Sequence, residues 1–231
     1  MIIKIAKDYW DEGFDLFPKD ELDLQPGITV LVGCNGSGKS TLLSQIRHHC
    51  MESGIPYKGY DNLSDGGSNS KQAAGYLGNM DLLANLVCSS EGEEMMMNIS
   101  NFAGSVGNFI RNKLDTKVIH KEFFIIFDAT DSGLSIDNII EFKKFCKLVI
   151  DDCSTKDVYI IVTANGFEMA RGSRCLDVTT FEYVDFKDYE EYRNFVIETR
   201  NKKDERNKIE KFDYEEEEGV GWHDYRKPKE E

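Results

Sequence analysis

The residues best equipped for chemistry lie in GCNGSGKS, Gly33 to Ser40, between the apolar run ITVLV and the start of an apolar-faced helix at STLL. The spacing fits G-x-x-x-x-G-K-[ST], a pattern in which each residue type has a job. Gly33, Gly36 and Gly38 let the backbone curl, so that N–H groups along Cys34, Asn35 and Ser37 can surround phosphate oxygens. The helix opening at Lys39, Ser40 and Thr41 aims its positive end at the same place. Lys39 is long enough to reach the outer phosphates, and the Ser40 hydroxyl is placed to ligate Mg²⁺. The expected cofactors are therefore ATP and Mg²⁺. A chance glycine-rich turn would have no reason to sit between a strand and a helix.

Two further stretches carry polar groups at suggestive places. In FFIIFDATDSGLS, Phe123 to Ser135, an apolar strand ends on Asp128, positioned to hold the metal directly or through water, or else to cap the following turn. The next residue, where a catalytic acid would be expected, is Ala129. In CSSEGEE, Cys88 to Glu94, the residues Ser89, Ser90, Glu91, Gly92 and Glu93 open a helix. Ser90 with Glu93 three positions on makes a capping box, and a Ser-Gly helix N-terminus is also a device for gripping phosphate. Both readings of this segment stand on the residues alone.

Taken together, these motifs resemble the ABC-type ATPases, closest to the RecF and SMC side of that superfamily, over most of the span from Ile28 to Asn165. GCNGSGKSTLL is similar to their phosphate loop, FIIFDATDSGLS to the metal strand and D-loop, VYIIVTAN to the strand leading to the switch histidine, and CSSEGEE to the signature motif. The resemblance implies an α/β fold of the P-loop NTPase, ABC type: a mixed sheet with a β-rich N-terminal lobe and a helical subdomain. It also implies a head-to-tail homodimer formed on ATP binding, in which Ser89 to Glu93 of one copy close over the nucleotide held by the phosphate loop of the other. Tyr9, Trp10 and Phe14 are available to stack on the adenine, and each is equally suited to a core.

The chain departs from that pattern in three ways. Ala129 stands where the family has the glutamate that polarises the attacking water, and loss of a positioned base costs about 10²- to 10⁴-fold in rate. Ala164 stands in place of the switch histidine, followed by Asn165, whose amide could reach the γ-phosphate. Lys39 and Ser89 are 50 positions apart, roughly half the spacing implied by resemblance to transporter ATPases, so the helical subdomain is reduced. No heptad run exists for an SMC-like coiled coil. Gln72 is a weak candidate for the Q-loop glutamine. Ala129 is either natural, in a chain that uses ATP binding as a signal to a protein effector, for instance in a phage or phage-defence setting, or an engineered replacement of glutamate that traps the bound state. A RecF-like role in DNA repair follows from resemblance alone.

The elements that must position these groups are legible in outline. Short strands are expected at IIKIA, FDLF and ITVLVG, then a helix from the phosphate loop to about Met51. Residues 53–70 read as a Gly/Ser/Asp/Asn-rich loop, and helices are expected near 71–87 and 91–114. FFIIF and VYIIVTA are continuous apolar runs of the kind covered on both faces of a parallel sheet, with a helix between them from Asp137 to about Ile150. CLDVTTFEYVDF supplies one or two edge strands, and a helix begins at Asp188 with Tyr189, Tyr192, Phe195 and Val196 on one stripe. Residues 1–199 read as a single ATP-binding domain and 200–231 as a charged helix end and acidic tail.

Composition bounds the rest. With 231 residues, 40% of them hydrophobic, the chain can bury a real core, and no apolar run approaches a membrane span, so a cytoplasmic protein is expected. The six cysteines form no CxxC pair, which fits reduced structural thiols. Net charge is −14; residues 200–231 hold nine basic and eleven acidic side chains, so the acidity belongs to the body and disfavours non-specific DNA binding.

Overall fold

The chain is described by a computed structural model at residues 1–8, 15–61, 91–110, 121–131 and 134–218, with side chains placed except at 91–96, 98 and 206–218. EFFIIFD and DVYIIVT form adjacent strands β5 (Glu122–Asp128) and β6 (Asp157–Thr163) at the middle of a six-stranded sheet, every residue after the first in each being buried. Such runs, apolar without alternation, need cover on both faces, and the sheet supplies it. The order is β4-β5-β6-β3-β7-β8, with β3 (Gly27–Val32), β4 (Tyr57–Asp61), β7 (Arg174–Asp177) and β8 (Glu182–Val184). All neighbours are parallel except β8, which returns antiparallel along β7. A separate antiparallel pair, β1 (Ile2–Lys4) with β2 (Glu21–Asp23), forms the N-terminal lobe.

Register brings the chemically useful strand ends to one edge. Leu31 pairs with Thr163, Phe127 with Val162, and Asp61 with Asp128, so β3, β4, β5 and β6 finish side by side. Helix α1 (Lys39–Glu52) and the β1–β2 pair cover one face, where Leu42, Leu43 and Ile46 meet Phe124, Ile126 and Ile161. The Gln45 amide ties α1 to the N-terminal lobe, accepting from Ala6 N at 2.6 Å and donating to Ala6 O at 3.0 Å. The opposite face takes α2 (Glu91–Phe109), α3 (Ile136–Asp152), the short α4 (Phe167–Ala170) and the start of α5 (Tyr189–Glu218). There the Phe127 ring lies 4.8 Å from Phe142 at 89° and 5.2 Å from Phe102 at 68°, the edge-on geometry aromatic rings prefer.

Several sequence expectations shift. FDLF is not a strand over its described residues 15–17; Pro18 follows at once and lacks a donor, so pairing moves to Glu21–Asp23 while Phe17 is buried against Phe181 at 5.5 Å. The segment read as loop from 53 contains β4, whose outer position lets polar residues into a strand. CLDVTTFEYVDF gives two strands, but β7 is interior, between β3 and β8. The expected helix at 91–114 is present as α2 over Glu91–Phe109, while its part from 111 on and the helix near 71–87 lie outside the described residues. Cys34, Cys50, Cys146, Cys153 and Cys175 are free and buried, and burial pushes the Cys50, Cys146 and Cys175 thiols up to about 12, so they remain protonated at neutral pH. No helix among the described residues is long and apolar enough to cross a membrane.

Phe127 touches α2, α3 and β4 together, so its loss should be costly. Phe127→Ala is expected to destabilise the fold by about 3–5 kcal/mol in urea unfolding, with Phe127→Leu losing much less.

Candidate functional site

The loop between β3 and α1 owes its shape to glycines in left-handed backbone. Gly36 has φ 74° and a Cβ there would collide with Lys203 Nζ; Gly38 has φ 98° and a Cβ would lie 3.1 Å from the Phe17 ring. Gly38 also precedes α1 without any side-chain cap, and the first turn carries no acidic residue. The leading N–H groups of a 14-residue helix are thus left without a competing carboxylate, which is the arrangement that receives anions. Ser37 Oγ is buried in the same loop and has no hydrogen-bond partner among the described residues. Lys39 Nζ lies over the loop's first half, donating to Gly33 O at 2.8 Å and Cys34 O at 3.0 Å. Burial lowers its pKa, opposed by Cys34, Asp131 and Asp128.

Around this loop the strand ends contribute polar groups. Ser40 Oγ donates to Asp128 Oδ1 at 3.2 Å, and Thr163 Oγ1 donates to the same oxygen at 2.9 Å while accepting Ala129 N–H at 2.7 Å. Two cis ligands of an octahedral Mg²⁺ at 2.0–2.1 Å stand about 2.9 Å apart, so the Ser40 and Asp128 oxygens fit that cation. Ala129 itself has φ 53°, a left-handed conformation that costs an alanine about 1–2 kcal/mol, held here by the bond to Thr163. A cleft of about 330 Å³ is bounded by Asn35, Gly36, Gly38, Lys39, Ser40, Thr41, Asp128, Ala129, Thr163 and Asn165.

Beneath the cleft Asp131 fastens two loops together. Its Oδ2 accepts the N–H groups of Asn165 and Gly166, each at 2.6 Å, while Oδ1 is buried without a partner among the described residues. Burial raises the Asp131 pKa, against the lowering effects of those two N–H donors and of Lys39. The Tyr192 hydroxyl of α5, also buried and without a partner among the described residues, is pushed up by burial first, then by Asp131 and Cys175. Further along α5, Thr199 Oγ1 accepts Cys34 N–H at 3.2 Å, and Lys203 Nζ donates to Asn35 O at 3.1 Å.

The structure therefore gathers Gly33 through Thr41, Asp128, Ala129 and Asn165, the sequence candidates, at one sheet edge. Glu91, Gly92 and Glu93 open α2, but their side chains, with Ser89, Ser90, Gln72, Tyr9, Trp10 and Phe14, lie outside what is described. Of the D-loop segment, Ser132 and Gly133 lie outside as well. Four participants were not singled out as site residues from sequence. Thr163 had a visible signal, a hydroxyl closing an apolar strand. Asp131 had one too, as a second aspartate just past Asp128, but its reach to Asn165 depends on the turn at Ala129. Thr199 with Lys203 had none, because their role depends on how α5 crosses the loop.

No protein-family model matches the chain, and no curated protein matches it. Among solved structures, one chain of a structure of Drosophila ORC bound to poly(dA/dT) DNA and Cdc6 is similar at 10% identity, over 68% of this chain and 26% of that one, with a TM-score of 0.31. This chain thus spans about a quarter of that neighbour, and a likeness of that degree carries no functional argument. Thr163→Val is expected to strand the Ala129 N–H and cost about 1–3 kcal/mol in thermal or urea unfolding, whereas Thr163→Ser should restore most of it.

Asp131 yields a pH prediction. The folded state holds its proton more tightly than the unfolded chain, so ionisation removes stability as pH rises through the raised value, and the penalty is complete above it. Asp131→Asn keeps an oxygen for both N–H groups without the charge. The variant should outlast the parent in urea at about pH 8, with the gap closing toward about pH 4. A gap independent of pH would contradict the assignment.

Proposed function

We propose that the chain is a compact ATP-binding protein of ABC type, which holds Mg·ATP in the cleft over the phosphate loop and pairs with a second copy around two nucleotides. The observation in its favour is the convergence of Lys39, Ser40, Asp128, Ala129, Thr163 and Asn165 on one cleft from three separate segments. In this reading the loop N–H groups and the α1 N-terminus hold the phosphates, Lys39 exchanges its two loop carbonyls for phosphate oxygens, and Ser40 with Asp128 holds the cation. When bound, Mg²⁺ neutralises charge on the outer phosphates. Pairing of two copies rests on the resemblance of Ser89 to Glu93 and of the segment ending at Ser135.

Turnover is expected to be slow. Among the described residues that line the cleft, Asp128 is the sole carboxylate, and Ser40 and Thr163 already engage its Oδ1. The Ala129 methyl offers no proton acceptor, and Asp131 is committed below the cleft to Asn165 and Gly166. One observation favours a second reading, an ATP-gated switch that signals to a protein effector without hydrolysis. Ala129 lines the cleft and Ala164 is fully buried, so neither position offers the ionisable side chain that the resembled family carries there. The DNA-repair reading keeps only the resemblance behind it.

Light scattering should show the mass doubling when Mg·ATP is added, and a chain that stays monomeric at saturating nucleotide would remove the paired-site reading. Lys39→Ala should abolish nucleotide binding. Ala129→Glu should raise phosphate release by about 10²-fold or more if the chain is a trapped enzyme, and leave it unchanged if the chain is a switch.

A further inference from the structure

The helix α5 reaches the phosphate loop with polar groups that no part of the reading above uses. Its inner stripe runs Tyr192, Val196, Thr199 and Lys203, at helical spacing, so the same face that begins in the core ends on the loop. Thr199 is 2% exposed and takes the Cys34 N–H; one turn later the Lys203 ammonium takes the Asn35 carbonyl. Gly36 leaves room for that ammonium, since any Cβ there would collide with it. Lys203 has no carboxylate partner among the described residues. One turn earlier on α5, Arg200 lines a second cleft of about 340 Å³ with Cys34, Asn35, Asn165 and Val196. Asn35 and Asn165 are shared walls, so this second cleft adjoins the first.

Which end of a nucleotide would lie here follows from Lys39. A lysine at this place in the loop pairs with the outer phosphates, and its ammonium sits against Gly33 and Cys34, next to the Asn35 carbonyl that holds Lys203. We propose that Lys203 is a second, C-terminal cation of the nucleotide site, which contacts the terminal phosphate of a nucleoside triphosphate and makes the chain distinguish triphosphate from diphosphate. The inference rests on the reading of the cleft as a nucleotide site. An ammonium has three donors, so Lys203 can keep Asn35 O and still donate to a phosphate oxygen. A diphosphate ends short of it and leaves that donor in water. The terminal phosphate thereby ties α5 to the loop, and α5 becomes the part of the fold that registers which nucleotide is bound.

The experiment is calorimetric titration of ATP and ADP, each with Mg²⁺, into the full chain and into Lys203→Met, Lys203→Arg and Lys39→Ala. Lys203→Met keeps the aliphatic stem, and thermal melting checks that it is folded. The expected result is ATP binding weakened at least about tenfold in Lys203→Met with ADP binding unchanged, and ATP binding recovered in Lys203→Arg. Equal loss of ATP and ADP would make Lys203 a support of the loop and overturn the proposal, as would no loss of either. If the unaltered chain binds neither nucleotide, the nucleotide-site reading itself fails and the role of Lys203 falls with it. If the unaltered chain binds both, Lys39→Ala abolishes binding and Lys203→Met leaves both affinities unchanged, the site stands and Lys203 alone is refuted.

Discussion

The Thr163 hydroxyl, accepting from Ala129 and donating to Asp128, is the contact on which the site's geometry depends. Strand β6 lies between β3, which feeds the phosphate loop, and β5, which ends on Asp128. Two strand spacings of 4.7–4.9 Å put those outer strands about 10 Å apart, too far for the tips to touch directly. Thr163, at the tip of the middle strand, occupies the gap, and Ser40 on α1 reaches back over it to the same carboxylate oxygen. Three segments remote in the sequence are thereby fixed to within a hydrogen bond of one another, and the fixing group is uncharged and fully used.

That polar edge is tolerable because the sheet behind it is dry. Alternate residues of β5 and β6 enter two different cores, with Phe124 stacked on Tyr159 at 4.6 Å on one side and Phe127 against Phe142 on the other. Burial on both faces fixes the register, since a one-residue slip would exchange the two cores and misplace Thr163 and Asp128 together. The same burial imposes electrostatic costs at the rim. Lys39 and Asp131 are each pushed toward their neutral forms by desolvation, and each offsets the other's penalty through mutual attraction. Charge at the site is held under tension that an incoming anion with its cation would change.

The central strands, the phosphate loop and α1 could be read from the sequence because each is specified by local pattern: apolar runs, glycine spacing, one helix period. Lys39, Ser40 and Asp128 were legible for the same reason. What could not be read depends on contacts between segments far apart in the chain. β4 carries the polar sequence YKGYD, and its strand character comes from pairing with β5. The interior place of β7 is decided by β8 folding back along it. Asp131 was visible as a residue but not as the clasp of the Asn165 loop, because only the left-handed turn at Ala129 brings it there. Lys203 stands four residues beyond a boundary drawn from charge alone, yet α5 passes that boundary without a break.

The length of α5 has a mechanical consequence. From Lys203 to Glu218 the helix continues for 15 residues, about 22 Å at 1.5 Å per residue. With Thr199 and Lys203 resting on the loop between β3 and α1, the helix projects as a lever whose fulcrum is that contact. A tilt of about 10° at that fulcrum would displace the far end by about 4 Å. Motion too small to alter the cleft would thus arrive magnified at the acidic end of the helix, where a neighbouring molecule could feel it.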